Sequence, residues 1–112
     1  MAEGIPVARV GEIGDDEAIV VSRATAGTVD DIAVVLSDGE YYAIDNTCTH
    51  EEASLAEGWI EAGTIECPLH GSAFCLRDGE VQGPPAPRGV AVHRVTVDGD
   101  EILLTPDPSR LA

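Results

Sequence analysis

Cys48-Thr49-His50 and Cys67-Pro68-Leu69-His70 each offer one sulfur and one imidazole within four residues. Thiolate and neutral imidazole are donors for zinc and for iron–sulfur chemistry. Sixteen residues separate His50 from Cys67. Two arms of about eight residues, rising roughly 3.3 Å each, run out about 26 Å and return, so a hairpin in that gap can bring both segments to one point. Three readings follow. Ordinary Cys and His residues are disfavoured by four donors beside Pro and Gly turns. A zinc finger groups its cysteines in one pair and its histidines in the other, whereas here each segment is mixed. An iron–sulfur centre with mixed sulfur and nitrogen ligation is the third.

The elements that must position these donors read as β-structure. Asp38-Gly39, Asp78-Gly79 and Asp98-Gly99 each interrupt strand-like runs, a strong hairpin signal. The flanking runs are DIAVVLS with EYYAID, SAFCL with EVQG, and VAVHRVTV with DEILLT; IPVARV and EAIVVSR add two N-terminal strands. GWIEAGTIEC reads as a further hairpin turning near Ala62-Gly63. Only Thr49 to Glu57 offers a helical turn, and no amphipathic helix is evident. GPPAPRG, from Gly83 to Gly89, is too rich in Pro for a ladder strand and reads as a stiff loop. The expected fold is all-β, a barrel or sandwich of small antiparallel sheets forming one domain over residues 1–112. The tail, 106–112, is expected to fray.

Composition narrows the function. The 112 residues carry a net charge of −15, and all six basic residues are Arg. Nucleic acid and anionic lipid both need basic side chains to neutralise phosphate, so neither is an expected partner. A basic protein surface is. No run approaches the roughly 18–20 apolar residues that span a bilayer, and the start MAEGIPVARV has neither the basic nor the apolar region of a signal peptide. Three cysteines, an odd number, argue against a secreted disulfide framework. The expected location is cytoplasmic. Four aromatics are few for a core of this size, and a bound inorganic centre can supply missing order.

Cys-x-His, sixteen residues, then Cys-Pro-Leu-His-Gly-Ser resembles the Rieske [2Fe-2S] signature, and CPLHGSAFCLRDGEV followed by a Pro loop looks like the Rieske-type ferredoxins of multicomponent aromatic-ring-hydroxylating dioxygenases. The resemblance runs from about Ile32 to Leu104. It implies a Rieske-like fold whose cluster-binding subdomain, about residues 45–86, presents two loops. It implies one [2Fe-2S] cluster with Cys48 and Cys67 on one iron and His50 and His70 on the other. Each loop then serves both metals, which accounts for the mixed pairs. With two imidazoles in place of two thiolates the oxidised centre is neutral rather than doubly negative, so an added electron meets less repulsion and the potential rises.

Rieske potentials span roughly −150 to +300 mV. The resemblance places Ala53 and Leu69 where the respiratory type carries a loop-tying disulfide, and Phe74 where it carries Tyr. A lost hydroxyl bond to a charged sulfur is worth about 1.5–3 kcal/mol, or roughly 65–130 mV for one electron. Ser72 is retained, and a potential toward the low end is expected. Cys75 reads as a small buried hydrophobe, Trp59 as hairpin core rather than an electron relay, and His93 as a surface or half-buried strand residue. With His50 and His70 in use, one histidine cannot build a 2-His-1-carboxylate iron site. The expectation is therefore a carrier, not an enzyme. It takes one electron from an NAD(P)H-dependent flavoprotein reductase to a terminal Rieske non-haem iron dioxygenase in aromatic degradation. Glu51, Glu52, Glu57, Glu61 and Glu66, with Asp45 before them, would form the docking field. Pro84, Pro85 and Pro87 would cover the cluster. The rivals are a small Rieske subunit of another redox system, such as an assimilatory nitrite reductase, and a zinc-stabilised interaction module.

Overall fold

The computed structural model describes residues 4–48, 53–68, 72–82 and 88–112. Nine strands are described: β1 (Ile5–Arg9), β2 (Glu17–Val21), β3 (Ile32–Ser37), β4 (Glu40–Asp45), β5 (Trp59–Glu61), β6 (Thr64–Glu66), β7 (Ala73–Cys75), β8 (Val92–Asp98) and β9 (Glu101–Thr105). They form a curled antiparallel sheet in the order β1-β9-β8-β4-β3-β2 and a small sheet in the order β5-β6-β7.

The β3–β4 hairpin is the wall shared by two cores. Along β3, Ala33 and Val35 face one apolar cluster while Ile32 and Val34 face the other, and all four are fully buried. A strand covered on both faces reads as an unbroken apolar run rather than an alternating one. On one side of the wall the curled sheet closes over Ile102, Leu104 and Val21. On the other, Leu55, Ile65 and Phe74 bring the small sheet and its loops against Val35 and Ile44. The small sheet therefore rides on a face of the large one.

Turn chemistry explains the hairpins. Asp38 and Gly39, with φ of 54° and 78°, form the two-residue loop between Ser37 and Glu40. Both positions need φ > 0, which favours Asp-Gly. Ala62 and Gly63 do the same between β5 and β6. At the β8–β9 hairpin Asp98 pairs with Glu101, so the loop residues are Gly99-Asp100, one position later than the Asp-Gly pair suggests.

Two details depart from expectation and one bears it out. A short helix, α1 (Arg23–Ala26), follows β2; Ser22 caps it by accepting from the Thr25 amide, and Gly27 ends it at φ 72°. Leu55–Glu57 forms the helical turn expected in the first donor region, as a 3-10 turn. The tail does not fray. Leu111 bridges Thr28, the Ala112 amide donates to the Gly27 carbonyl at 2.9 Å, and the Val29 amide donates to the Arg110 carbonyl at 2.9 Å. These bonds, with the 3-10 turn Pro108–Arg110, hold the chain end against the segment after α1. Among the described residues no helix is long and apolar enough to cross a membrane.

Candidate metal centre

Both cysteines open loops closed in the same way. After β4 the chain passes Asn46 and Thr47 to Cys48, whose amide donates to the Ala53 carbonyl at 3.0 Å. Thr47 bridges Ser54, and the Leu55 amide donates to the Asn46 carbonyl at 2.8 Å. After β6, the Cys67 amide donates to the Ser72 carbonyl at 2.7 Å, and Glu66 pairs with Ala73 as β7 begins. In each case a cysteine amide meets a carbonyl five residues on, and the sequence between them includes the histidine of its pair. His50 and His70 themselves lie outside the described residues, as do Glu51, Glu52, Leu69, Pro84, Pro85 and Pro87.

Cys48 and Cys67 are buried at 3% and 2% exposure in one apolar cluster, and neither is in a disulfide. Ala53, Leu55, Ile65, Phe74 and Leu76 belong to the same cluster. Two reduced sulfurs thus converge from separate loops into a dry setting, where a thiolate is tolerated only beside compensating positive charge. Two thiolates in such a setting fit a centre whose iron supplies that charge. Among the described residues no group of three His, Cys, Asp or Glu side chains is placed to hold a metal ion.

The root of the first loop is braced residue by residue. The Asp45 carboxylate, 5% exposed, accepts from His93 Nε2 at 2.8 Å and from Arg110 Nε at 2.8 Å. Asn46 donates from Nδ2 to Ser54 at 2.8 Å, and its Oδ1 accepts from the Ala56 amide at 3.0 Å. Thr47 gives its amide and its hydroxyl to Asp30, at 3.0 and 2.8 Å. Such side-chain bonds fix a loop that leaves the sheet ladder.

The second loop gains rigidity from close backbone approach. A β-carbon on Gly58 would stand 1.8 Å from the Glu66 carbonyl oxygen, one residue before Cys67. Beyond β7, Gly79 and Gly89 meet backbone to backbone, and the Val90 amide donates to the Gly79 carbonyl at 2.8 Å. The exit of the Pro-rich segment is thereby seated on the β7 turn.

Four single-residue expectations are corrected. His93 is buried, its side chain fully enclosed, because β8 lies between β9 and β4. Its Nδ1 accepts from the Asp107 amide at 2.9 Å, so the neutral ring carries its proton on Nε2 and donates it to Asp45. Asp45 is therefore buried and paired with Arg110, not part of an acidic surface. Trp59 is 69% exposed: Ile60 is the β5 residue packed inward, and alternation turns Trp59 and Glu61 to solvent. Cys75 is only half-buried. The Asp78 carboxyl is held low, first by the Glu80 amide and then by the Cys75 thiol. Glu57 and Glu61 are exposed and Glu66 half-buried.

A family model described as the Rieske [2Fe-2S] domain matches residues 3–107. The chain belongs to that family. The Rieske chain is 36% identical over 104 residues to the biphenyl dioxygenase ferredoxin subunit of Pseudomonas sp. (strain KKS102), covering 92% of this chain and 90% of that one. Among solved structures it is similar to the ferredoxin of carbazole 1,9a-dioxygenase from Nocardioides aromaticivorans IC177, with a TM-score of 0.84 and 33% identity over 95% of this chain and 100% of that one. A second neighbour comes from a complex of reduced oxygenase and oxidized ferredoxin in carbazole 1,9a-dioxygenase. There the TM-score is 0.81 and the identity 31%, over 89% of this chain and 99% of that one. The Rieske cofactor, a [2Fe-2S] cluster, is that of the family. The relatives are ferredoxin subunits, carriers rather than catalysts.

Proposed function

We propose that this chain is the ferredoxin of an aromatic-ring-hydroxylating dioxygenase system. It accepts one electron from an NAD(P)H-dependent flavoprotein reductase and delivers it to a terminal Rieske non-haem iron dioxygenase, in the cytoplasm. Cys48 and Cys67 hold one iron, and His50 and His70 the other.

One observation supports this reading most. The two cysteines open loops with the same closing bond, in a chain that matches dioxygenase ferredoxins over nearly its whole length. The cluster, when bound, supplies one-electron storage. The chain's own residues do the rest. Leu55, Ile65 and Phe74 keep water from the sulfurs, and the loop closures hold the ligand backbone rigid. His93 is committed on both ring nitrogens, which leaves it unable to nucleate a second metal site of the oxygenase kind. The charge of −15 suits brief, steered encounters with basic partners.

Anaerobic mixing tests the assignment. The oxidised protein should be bleached by the NADH-reduced reductase of its system, and the colour should return on addition of the terminal oxygenase. Colour that neither component changes would remove this chain from such a system.

A further inference from the structure

The polar network around Asp45 reaches from the end of the chain to the root of the first ligand loop, and the donor chemistry of the centre does not require it. We propose that Arg110 is a positioning residue for the cluster, acting through Asp45 and His93 to clamp the segment that carries Cys48. The inference rests on the proposed ligation by that cysteine.

Four observations carry it. First, Arg110 and His93 take different oxygens of the same buried carboxylate, at the last residue of β4 and three residues before Cys48. Second, the tail holds the opposite side of the root as well. It pairs with residues 27–29 through Ala112, Leu111 and the Arg110 carbonyl, and the next residue, Asp30, receives the amide and hydroxyl of Thr47. Third, His93 is tied to the same tail through the Asp107 amide, so the three elements lock one another. Fourth, packing cannot do the job from this side. A cavity of about 530 Å³ lies beside the root, its wall including Arg23, Asp30, Asp45, Thr47, Cys48 and Arg110. Where apolar contacts are replaced by open space, the charged bonds add their restraint to the backbone and Asn46 hydrogen bonds of the root.

The consequence follows from desolvation. Without the guanidinium, the Asp45 charge is buried with one oxygen uncompensated, and the segment must turn outward to rehydrate it. The two apolar cores share none of these groups, so the sheets persist while the loop loosens. A lysine keeps the charge but loses the directed Nε bond.

The test uses the holo-protein and the variants Arg110→Ala, Arg110→Lys and the double variant Arg110→Ala with Asp45→Asn. Arg9→Ala is the control; it removes an equal charge from an exposed pair with Asp100 on the far strands. Cluster bleaching by an iron chelator, the width of the reduced-state EPR signal and far-UV circular dichroism are recorded for each. Arg110→Ala should bleach at least tenfold faster than Arg9→Ala, with a broadened signal and unchanged strand content. Arg110→Lys should fall between, and the double variant should recover part of the loss because the orphaned charge is gone. Bleaching and line width equal to those of Arg9→Ala would overturn the clamp. Should Arg110→Ala fail to fold, Arg110→Lys decides: wild-type bleaching in that variant overturns it too. If the wild-type protein itself lacks a Rieske EPR signal, the ligation fails instead, and the two failures are thereby distinguished.

Discussion

Thr47 gives both its amide and its hydroxyl to the carboxylate of Asp30, seventeen residues earlier, at 3.0 and 2.8 Å. The bond pair sits one residue before Cys48, where the chain has left the β4 ladder and no backbone partner fixes Thr47 from that side. Hydrogen bonds to charged groups are worth about 1.5–3 kcal/mol each, and a buried donor left unsatisfied costs a similar amount. Asp30→Ala should therefore destabilise the protein by about 2–4 kcal/mol. Thr47→Val, which removes only the hydroxyl, should cost about 1–2 kcal/mol. Urea titration followed by circular dichroism measures both, and equal losses would show that the amide bond contributes nothing.

Gly58 makes a sharper steric prediction. Its missing β-carbon would lie 1.8 Å from the Glu66 carbonyl oxygen, a backbone atom that cannot swing aside. Gly58→Ala must push β5 away from β6 and disturb the approach to Cys67. The expected loss is more than about 3 kcal/mol, at the upper end for a single substitution. Gly39→Ala, at φ 78° with open space around it, should cost only about 1–2 kcal/mol. Thermal melts of the two variants should be separated by roughly 10 °C.

The acid side of the stability curve follows from three surface carboxyls. Asp31 is held below its ordinary range by the Arg23 amide and guanidinium, Asp78 by the Glu80 amide and the Cys75 thiol, and Asp107 by the Ser109 amide and hydroxyl. A depressed folded-state pKa means stability that is present above the unfolded value of 3.8 and lost as pH falls through the folded value. The melting temperature should accordingly hold until about pH 4 and then drop. Asp107→Asn, which mimics the protonated carboxyl, should lower the melt slightly near neutrality and leave it almost unchanged in acid, so that the drop is flatter.

Glu57 is exposed just after the first ligand loop and Glu61 at the β5–β6 turn, both unopposed by neighbouring basic residues in sequence. Replacing both with Gln should slow electron delivery to the oxygenase several-fold at low ionic strength, with the difference closing near 0.5 M salt, where the Debye length falls to about 4 Å. Stopped-flow rates across a salt series check this. Equal slopes for wild type and variant would shift the docking field elsewhere.

The hairpins were readable because their turns demand particular residues: Asp38-Gly39 and Ala62-Gly63 both adopt the left-handed pair of angles. β3 was readable because a strand buried on both faces leaves an unbroken apolar run. The donor pairs announced themselves by residue type, and the fold brings the two cysteines into one dry cluster. The polar network was not readable. His93 meets Asp45 across 48 residues and Asp45 meets Arg110 across 65, and nothing local in either segment marks such a partner. Trp59 misled because a three-residue strand has too little alternation to show which side is inward. The Ser22 cap and Gly27 stop did signal α1, but four residues are too few for an apolar stripe.

Reduction of the native protein with dithionite and EPR at low temperature, with iron and acid-labile sulfide counted on the same sample, tests the central claim most directly. Coordination by two thiolates and two imidazoles should give about two irons and two sulfides per chain. The signal should be rhombic, with a mean g value well below that of all-thiolate clusters. An all-thiolate signal, or a colourless protein holding a single zinc, would contradict the account.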